Sequence, residues 1–341
     1  MIVAATGVQR ALLQEEFASL TFVDLPGYSV KYGKNRAITV LQLICSIPKI
    51  LICIKQERAW LRGFAAREGL DLVISDNRYG LAVPGVFCVF ITHQLLIRTP
   101  FGRWTDLLLQ RMNYRLINRF SRCWVPDIAD AGSLAGRLSH PGRMPRVTTR
   151  YVGWLSRMEG RVVAETRAPE RAAGDEAGVL VLLSGPEPQR TLLEQRILKQ
   201  ARGLADRMVL VRGLPGGGKA LTDIPSTVTV HDHLRAVELG RVMGEARLVI
   251  ARSGYSTVMD LVRMGKRAVL IPTPGQTEQE YLGRYLAAKG WVVCMRQNEF
   301  SLDEALRVTG PTPAWPADDR GERLRAELLS VMTQSRPSAL G

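Results

Sequence analysis

The sequence predicts an α/β protein built as two doubly wound domains, each a parallel sheet wrapped in helices, facing a shared cleft. Three observations predict it. Short apolar runs alternate with helix-length segments along nearly the whole chain, the pattern of βαβ units. The alternation breaks over Arg157 to Gly178, a charged, Ala/Gly-rich stretch without apolar periodicity. The length of 341 residues is enough for two cores. The boundaries are therefore set at 1–153 for the first domain, 154–177 for a linker, and 178–341 for the second domain with a C-terminal helix.

The elements follow in order. Ile2–Ala5 is a short apolar run, and Val8 to Phe17 reads as a helix with Leu12, Leu13 and Phe17 on its apolar face. Leu20–Leu25 is a second run, closed by Pro26-Gly27. A long helical stretch covers about Ile38 to Glu68. Its most apolar part, Ile38 to Ile54, is interrupted by Gln42, Pro48 and Lys49, so it falls short of the roughly 20 apolar residues of a spanning helix. It reads as a buried or interfacial helix. Leu70–Ser75, Phe87–Thr92 and Cys123–Val125 read as strands, with a helix near Arg103–Arg119.

In the second half, Val179–Leu183, Met208–Arg212, Val228–Val230, Arg247–Ala251, Ala268–Ile271 and Trp291–Met295 read as strands. A helix starts near Gln189, where Leu193, Ile197, Ala201 and Leu204 keep the spacing of one buried face. The tail is Pro-rich from Thr309, then helical over Asp319–Met332.

The net charge of +14 is concentrated: residues 1–150 hold 20 Lys+Arg against 10 Asp+Glu. Such an excess suits an anionic partner. The basic residues lack interleaved aromatics and no nucleic-acid motif appears, so no nucleic acid is expected. The apolar helix beside Lys49, Lys55 and Arg58 suits an anionic membrane surface, and peripheral binding at the inner face of the plasma membrane is expected. Five scattered cysteines, with no Cys-x-x-Cys pair, fit a reducing cytoplasm and no disulfide framework. His231-x-His233 is the only metal-like spacing, and alone it is weak, so no metal is expected.

The chemistry concentrates at loops after strands. Arg252-Ser253-Gly254-Tyr255-Ser256-Thr257-Val258-Met259-Asp260 runs from a strand through a Gly-Ser turn into a helix. Glycine lets a ligand approach the backbone, and a helix start offers unpaired N–H groups to an anion. Asp260 can accept ribose hydroxyls, or serve the helix as a first-turn acid. Gln279, Glu280 and Tyr281 follow Pro272-Thr273-Pro274-Gly275, in a polar loop after the next strand. Ser184-Gly185-Pro186-Glu187-Pro188-Gln189-Arg190 links another strand to a helix and can face a phosphate, or act as a plain helix cap. Gly216-Gly217-Gly218-Lys219 lacks the spacing of a phosphate loop and reads as a turn. In the first half, Ser75-Asp76-Asn77-Arg78-Tyr79-Gly80 and Thr92-His93-Gln94 follow strands. His93 is a candidate base, or a structural histidine; Asp76 is a candidate acid, or a turn residue.

The block Arg252-Ser253-Gly254…Thr257…Asp260, with Pro272…Gln279…Tyr281, resembles the C-terminal domain of glycosyltransferase family 28. The clusters at Ser75–Gly80, Ile91–Gln94 and Ser184–Arg190 resemble an uncharacterised bacterial branch of the same superfamily. The resemblance implies a GT-B fold, two Rossmann-like domains facing a cleft, with a nucleotide-sugar donor, usually a UDP-sugar such as UDP-GlcNAc, held by the second. It implies inversion at the anomeric carbon, no cofactor, and a hydroxyl acceptor, lipid-linked in some members. The family's ribose-binding Glu falls on Asp260, one carbon shorter. Its two glutamines near the sugar fall on Gln279 and Glu280, and its Gly-Ser loop on Ser184-Gly185.

The donor set expected is thus Ser184, Gly185, Arg190, Leu234, Arg252, Ser253, Gly254, Ser256, Thr257, Asp260, Gln279 and Glu280, with His93 and Asp76 as catalytic candidates. Members normally begin with a strand and a Gly-rich, His-containing loop, whereas Met1 to Gly7 resembles their second strand. This departure favours a catalytically impaired nucleotide-sugar-binding protein as an alternative. An epimerase or hydrolase is another, and would need a carboxylate pair such as Asp76 and Glu187.

Overall fold

The computed structural model describes residues 1–26, 36–97, 99, 102–158, 178–317 and 321–335, with the side chains of 8, 36–47 and 103 outside the description. Most of the predicted linker, 159–177, lies outside the described residues.

The first domain opens with β1 (Ile2–Ala5), α1 (Gly7–Glu16) and β2 (Thr21–Asp24), a parallel pair of strands forming its own two-stranded sheet. A long helix, α2 (Arg36–Glu68), follows with Pro48 inside it. Then come β3 (Leu72–Asp76), β4 (Phe87–Ile91), α3 (Arg103–Ile117), β5 (Arg122–Val125) and β6 (Thr149–Tyr151). Strands β3 to β6 form a parallel sheet in sequential order. Of the apolar stretch in α2, Cys53 and Ile54 are buried while Leu51 and Ile52 are exposed, so its described end is only half covered. Among the described residues no helix is long and apolar enough to cross a membrane.

The second domain contains β7 (Val179–Leu182), α4 (Gln189–Ala201), β8 (Met208–Val211), β9 (Val228–His231), α5 (Ala236–Glu245) and β10 (Leu248–Ala251). It continues with α6 (Tyr255–Arg263), β11 (Ala268–Leu270), α7 (Thr277–Ala288), β12 (Val293–Cys294) and α8 (Leu302–Leu306). All six strands are parallel, in the order β12-β11-β10-β7-β8-β9. Strands β7, β10 and β11 are buried at every position, as a sheet covered by helices on both faces requires. The chain leaves β7 in one direction and returns beside it as β10. Their adjacent carboxyl ends form the topological switch point, where ligands of doubly wound sheets bind.

Two features join the domains more closely than sequence order implies. Ile128, Leu134, Leu138, Trp154 and Met158, all from the chain between β5 and the linker, share one core with β10, α6 and α7. The last helix, α9 (Glu322–Ser335), which sequence order places with the second domain, packs instead on the first sheet. Val331 is buried there against Val89, Trp124 and Val152, and Arg122 pairs with Glu327 at 3.0 Å.

Candidate functional site

The loops at the switch point are held by the motif residues themselves. Arg252, fully buried, donates to the carbonyls of Ile271 (3.2 Å), Pro272 (3.4 Å) and Gln189 (2.7 Å), tying together the loops that follow β7, β10 and β11. Burial lowers its pKa to about 10. Ser253 Oγ donates to the Gln279 carbonyl at 2.8 Å, and the Gln279 side-chain oxygen accepts from the Thr273 N–H at 2.9 Å. Glu280 accepts from the Gly275 N–H at 3.0 Å. These side chains therefore have protein partners and hold the switch-point loops to one another.

What faces the opening is backbone and small side chains. Gly254 caps α6 with no side-chain cap, and a Cβ there would meet nothing within 4 Å. The first N–H groups of α6 lack helical partners. Exposed Ser256 stands in the same turn, with Thr257 buried beside it. Across the switch point, Gly185 has φ +95°, a conformation that favours glycine, and a Cβ there would meet only Thr273 Oγ1, at 3.5 Å. Ser184 is partly exposed beside it, and Leu234 leans on the core at the rim.

Arg190 turns inward. It pairs with Glu194 at 3.0 Å and Glu187 at 2.6 Å. Glu194 also takes Arg212 at 2.7 Å, and Arg212 reaches Asp232 at 2.5 Å. This network, which the sequence reading does not contain, fixes the loops after β7, β8 and β9. Burial would raise the Glu187 carboxyl, but hydrogen bonds from Thr191 and Arg190 outweigh it and hold it low.

Asp260 is buried, and both its oxygens are in use. Oδ1 accepts from Ser156 Oγ and Oδ2 from Arg157 Nε, each at 2.8 Å. Burial raises its pKa, opposed by Arg157 and Ser156. The carboxylate thus grips the chain where it leaves the first domain.

On the first domain, His93 meets the second directly. Its Nε2 lies 2.7 Å from Glu278 Oε1 at the start of α7, and its ring stacks on Tyr255 at 4.2 Å. Against an ionised carboxylate, which can only accept, Nε2 is the donor. Asp76 is solvent-reachable at the end of β3; the surrounding protein raises its pKa, and nearby His93 opposes the rise. No contact joins Asp76 to Glu187 among the described residues.

Three tyrosines of the second domain complete the junction. Tyr255 donates to the Pro126 carbonyl (2.7 Å) and Tyr285 to that of Ser133 (2.9 Å), while Tyr281 accepts from the Arg137 N–H (2.8 Å). The loop they grip is organised by buried Asp127, which accepts from Ser133, Ser139, Trp154 and the N–H groups of Ile128, Leu134 and Ala135. An Asp that follows a strand and a proline is the only local signal that could have marked Asp127.

Residues 227–309 match the glycosyltransferase family 28 C-terminal domain, a span that includes α5 to α7 and the Arg252–Asp260 block. The chain thus resembles the family 28/GT-B glycosyltransferases, in sequence over this span and in fold over both domains. A curated relative, the UDP-N-acetylglucosamine--N-acetylmuramyl-(pentapeptide) pyrophosphoryl-undecaprenol N-acetylglucosamine transferase of Haemophilus ducreyi, is 26% identical over 51% of this chain and 48% of its own length. The enzyme of the same name from Pasteurella multocida is 28% identical over 41% of this chain and 40% of its own. The chain thus matches about half the length of these relatives, or less. Among solved structures, the glycotransferase of kitacinnamycin superposes with a TM-score of 0.60 at 15% identity, covering 98% of this chain and 89% of that one. The spinosyn rhamnosyltransferase SpnG, complexed with thymidine diphosphate, gives 0.56 at 16% identity, over 98% and 88%. At such identities the superpositions speak for the two-domain GT-B fold.

Proposed function

We propose that the chain is an inverting glycosyltransferase that moves a sugar from a UDP-sugar to a hydroxyl acceptor. The observation that carries this reading is the open switch point between β7 and β10, where Gly185 and the uncapped start of α6 leave backbone N–H groups free beneath a cleft closed by His93. Those N–H groups suit a diphosphate, and they stabilise the charge that develops on it as the glycosidic bond breaks. The ribose is assigned to Asp260, because a carboxylate offers about four lone-pair sites, of which Ser156 Oγ, Arg157 Nε and the Arg157 N–H use three. Ser256, Thr257 and Ser184 supply hydroxyls around the diphosphate. Arg252, Ser253 and Gln279 hold the walls in place.

His93 is assigned as the base. Glu278 orients the imidazole, and Nδ1 is free to take the proton of the attacking hydroxyl. Because Glu278 belongs to the second domain, the pair exists only when the domains are closed. The preference for UDP over other nucleotides follows the printed names of the curated relatives. Those names, which include an undecaprenol, also favour a lipid-linked acceptor, and the basic first domain suits a place at an anionic membrane surface.

The test is calorimetric titration with UDP and with thymidine diphosphate. It is followed by incubation with UDP-GlcNAc and a polyprenyl-diphosphate-linked sugar, with NMR of the product's anomeric configuration. UDP binding and an inverted product are expected. Failure to bind any nucleoside diphosphate would sink the reading. Nucleotide binding without transfer would favour the catalytically impaired alternative.

A further inference from the structure

A groove of about 790 Å³ lies on the first domain between the C-terminal half of α3 and the segment 143–147 that leads into β6. Both walls run toward the starts of strands, so the groove sits at the amino edge of the sheet. The cleft is at the opposite, carboxyl edge. Its lining carries Arg111, Arg115, Arg143 and Arg146 and no acidic side chain. None of these guanidinium groups forms an ion pair or a hydrogen bond among the described residues, and all four residues are exposed.

The frame that carries them is fixed. Tyr114, buried, donates its hydroxyl to the Arg143 carbonyl at 2.5 Å. Asn118 Oδ1 accepts from the N–H groups of Arg146 (2.8 Å) and Val147 (3.1 Å). The last turn of α3 is thus stitched to the opposite wall, and the arginines project from a set backbone. Arg115 has a reason to be there without a ligand, since a cation suits a helix C-terminus. That reason does not extend to Arg143 and Arg146, which stand on the facing segment. Four like charges around one concavity repel one another, and a bound anion relieves the repulsion. Guanidinium forks match phosphate oxygens two at a time.

We propose that this groove binds a phosphoryl anion, at a site separate from the nucleotide pocket. The same helix face indicates a source. Trp104, Leu108, Arg111 and Arg115 follow i, i+4, i+7, i+11, one stripe along α3. Trp104 is 86% and Leu108 67% exposed. An apolar half-stripe running into a basic groove suits a phospholipid headgroup at a bilayer surface. A free phosphorylated compound shares the chemistry of the anion alone.

The experiment uses the whole chain, with R143S/R146S and the charge-keeping R143K/R146K. Binding is measured to inorganic pyrophosphate by calorimetry and to phosphatidylglycerol-containing phosphatidylcholine vesicles by co-sedimentation. The wild type is expected to bind, the serine pair at least about tenfold more weakly, and the lysine pair to retain most of the binding. Melting temperature and UDP affinity should be unchanged in both, which separates this site from the cleft. Binding to vesicles but not to pyrophosphate assigns the lipid headgroup, and comparable binding to pyrophosphate assigns a soluble anion. The proposal is overturned if the wild type binds neither probe, or if the serine pair binds as tightly as the wild type.

Discussion

Replacing Asp260 with alanine separates two duties assigned to one carboxylate. The first is mechanical. The substitution removes the acceptor of Ser156 and Arg157, both at 2.8 Å. A hydrogen bond to a charged group contributes about 1.5–3 kcal/mol. The Arg157 side chain is 46% exposed, so its ion pair adds at most about 1 kcal/mol. Burial raises the Asp260 pKa, so the ionised form carries a desolvation cost that the variant escapes. The net loss should be about 1–3 kcal/mol, or a fall in Tm of roughly 2–10 °C in scanning calorimetry. The second duty is chemical. Loss of a charge-assisted bond to ribose should weaken UDP by about 1.5–3 kcal/mol, roughly 10- to 150-fold. Ser156→Ala is the control. It should reproduce part of the fall in Tm and leave UDP affinity intact. If Asp260→Ala lowers the Tm as expected but binds UDP as tightly as the wild type, the carboxylate only anchors the crossing chain, and the ribose assignment fails.

Other outcomes follow from the same geometry. Gly254→Ala should leave the Tm unchanged, since its Cβ meets nothing within 4 Å, yet weaken UDP by filling space over the α6 N-terminus; unaltered affinity would put the diphosphate elsewhere. Gly136→Ala should loosen the domain junction, because φ is +52° and the new Cβ would stand 2.6 Å from Tyr281 Oη; small-angle scattering should record a larger radius of gyration, and an unchanged one would count against the tyrosine clasp. Glu57 has its carboxyl held above the ordinary 4.5 by burial, opposed by Arg78 and the Gly80 N–H. The native state keeps this proton longer than the unfolded chain does. Stability relative to Glu57→Gln should therefore fall as pH rises from about 4.5 through the native value, and a pH-independent difference between denaturant titrations would refute it. Glu278→Gln should cut transfer by about 10²-fold or more while leaving UDP binding near normal, and an unchanged rate would remove His93 as the base.

How far the sequence carries can be seen in particular elements. Val179–Leu183 and Leu248–Ala251 stand out because a strand covered on both faces must be apolar throughout. Thr149–Tyr151 does not, because a three-residue edge strand with Arg150 at its centre leaves no run to detect. The helix Ala236–Glu245 lies in an interval given no element by the sequence reading; Gly240 and Gly244 interrupt it, and burial of Leu239 and Met243 together with the Arg235–Glu238 capping contact secures it. The switch-point loops were legible because glycine and serine between a strand and a helix have a local physical meaning. The division of labour inside them was not. Arg252, Ser253 and Gln279 look like ligand contacts in sequence, yet each finds a protein partner in a neighbouring loop. Glu278 stands 185 residues from His93, so no spacing rule could pair them. The same holds for Asp260 with Ser156 and Arg157, and for Arg212 with Glu194 and Asp232.

The return of α9 to the first domain has a consequence for motion. The polypeptide passes between the domains twice, near Trp154–Met158 and again between Trp315, which rests on Trp291, and α9. A body held by one strand can swivel about any axis, whereas a body held by two has one easy rotation, about the line through both attachments. Opening of the cleft is thereby reduced to a door on two pins. When the tyrosines and the His93–Glu278 pair let go, the domains stay at high effective concentration and in register, so reclosure restores the same partners. A variant lacking α9 would lose one pin and uncover the apolar surface of Val89, Trp124 and Val152, turning a guided swing into a free one.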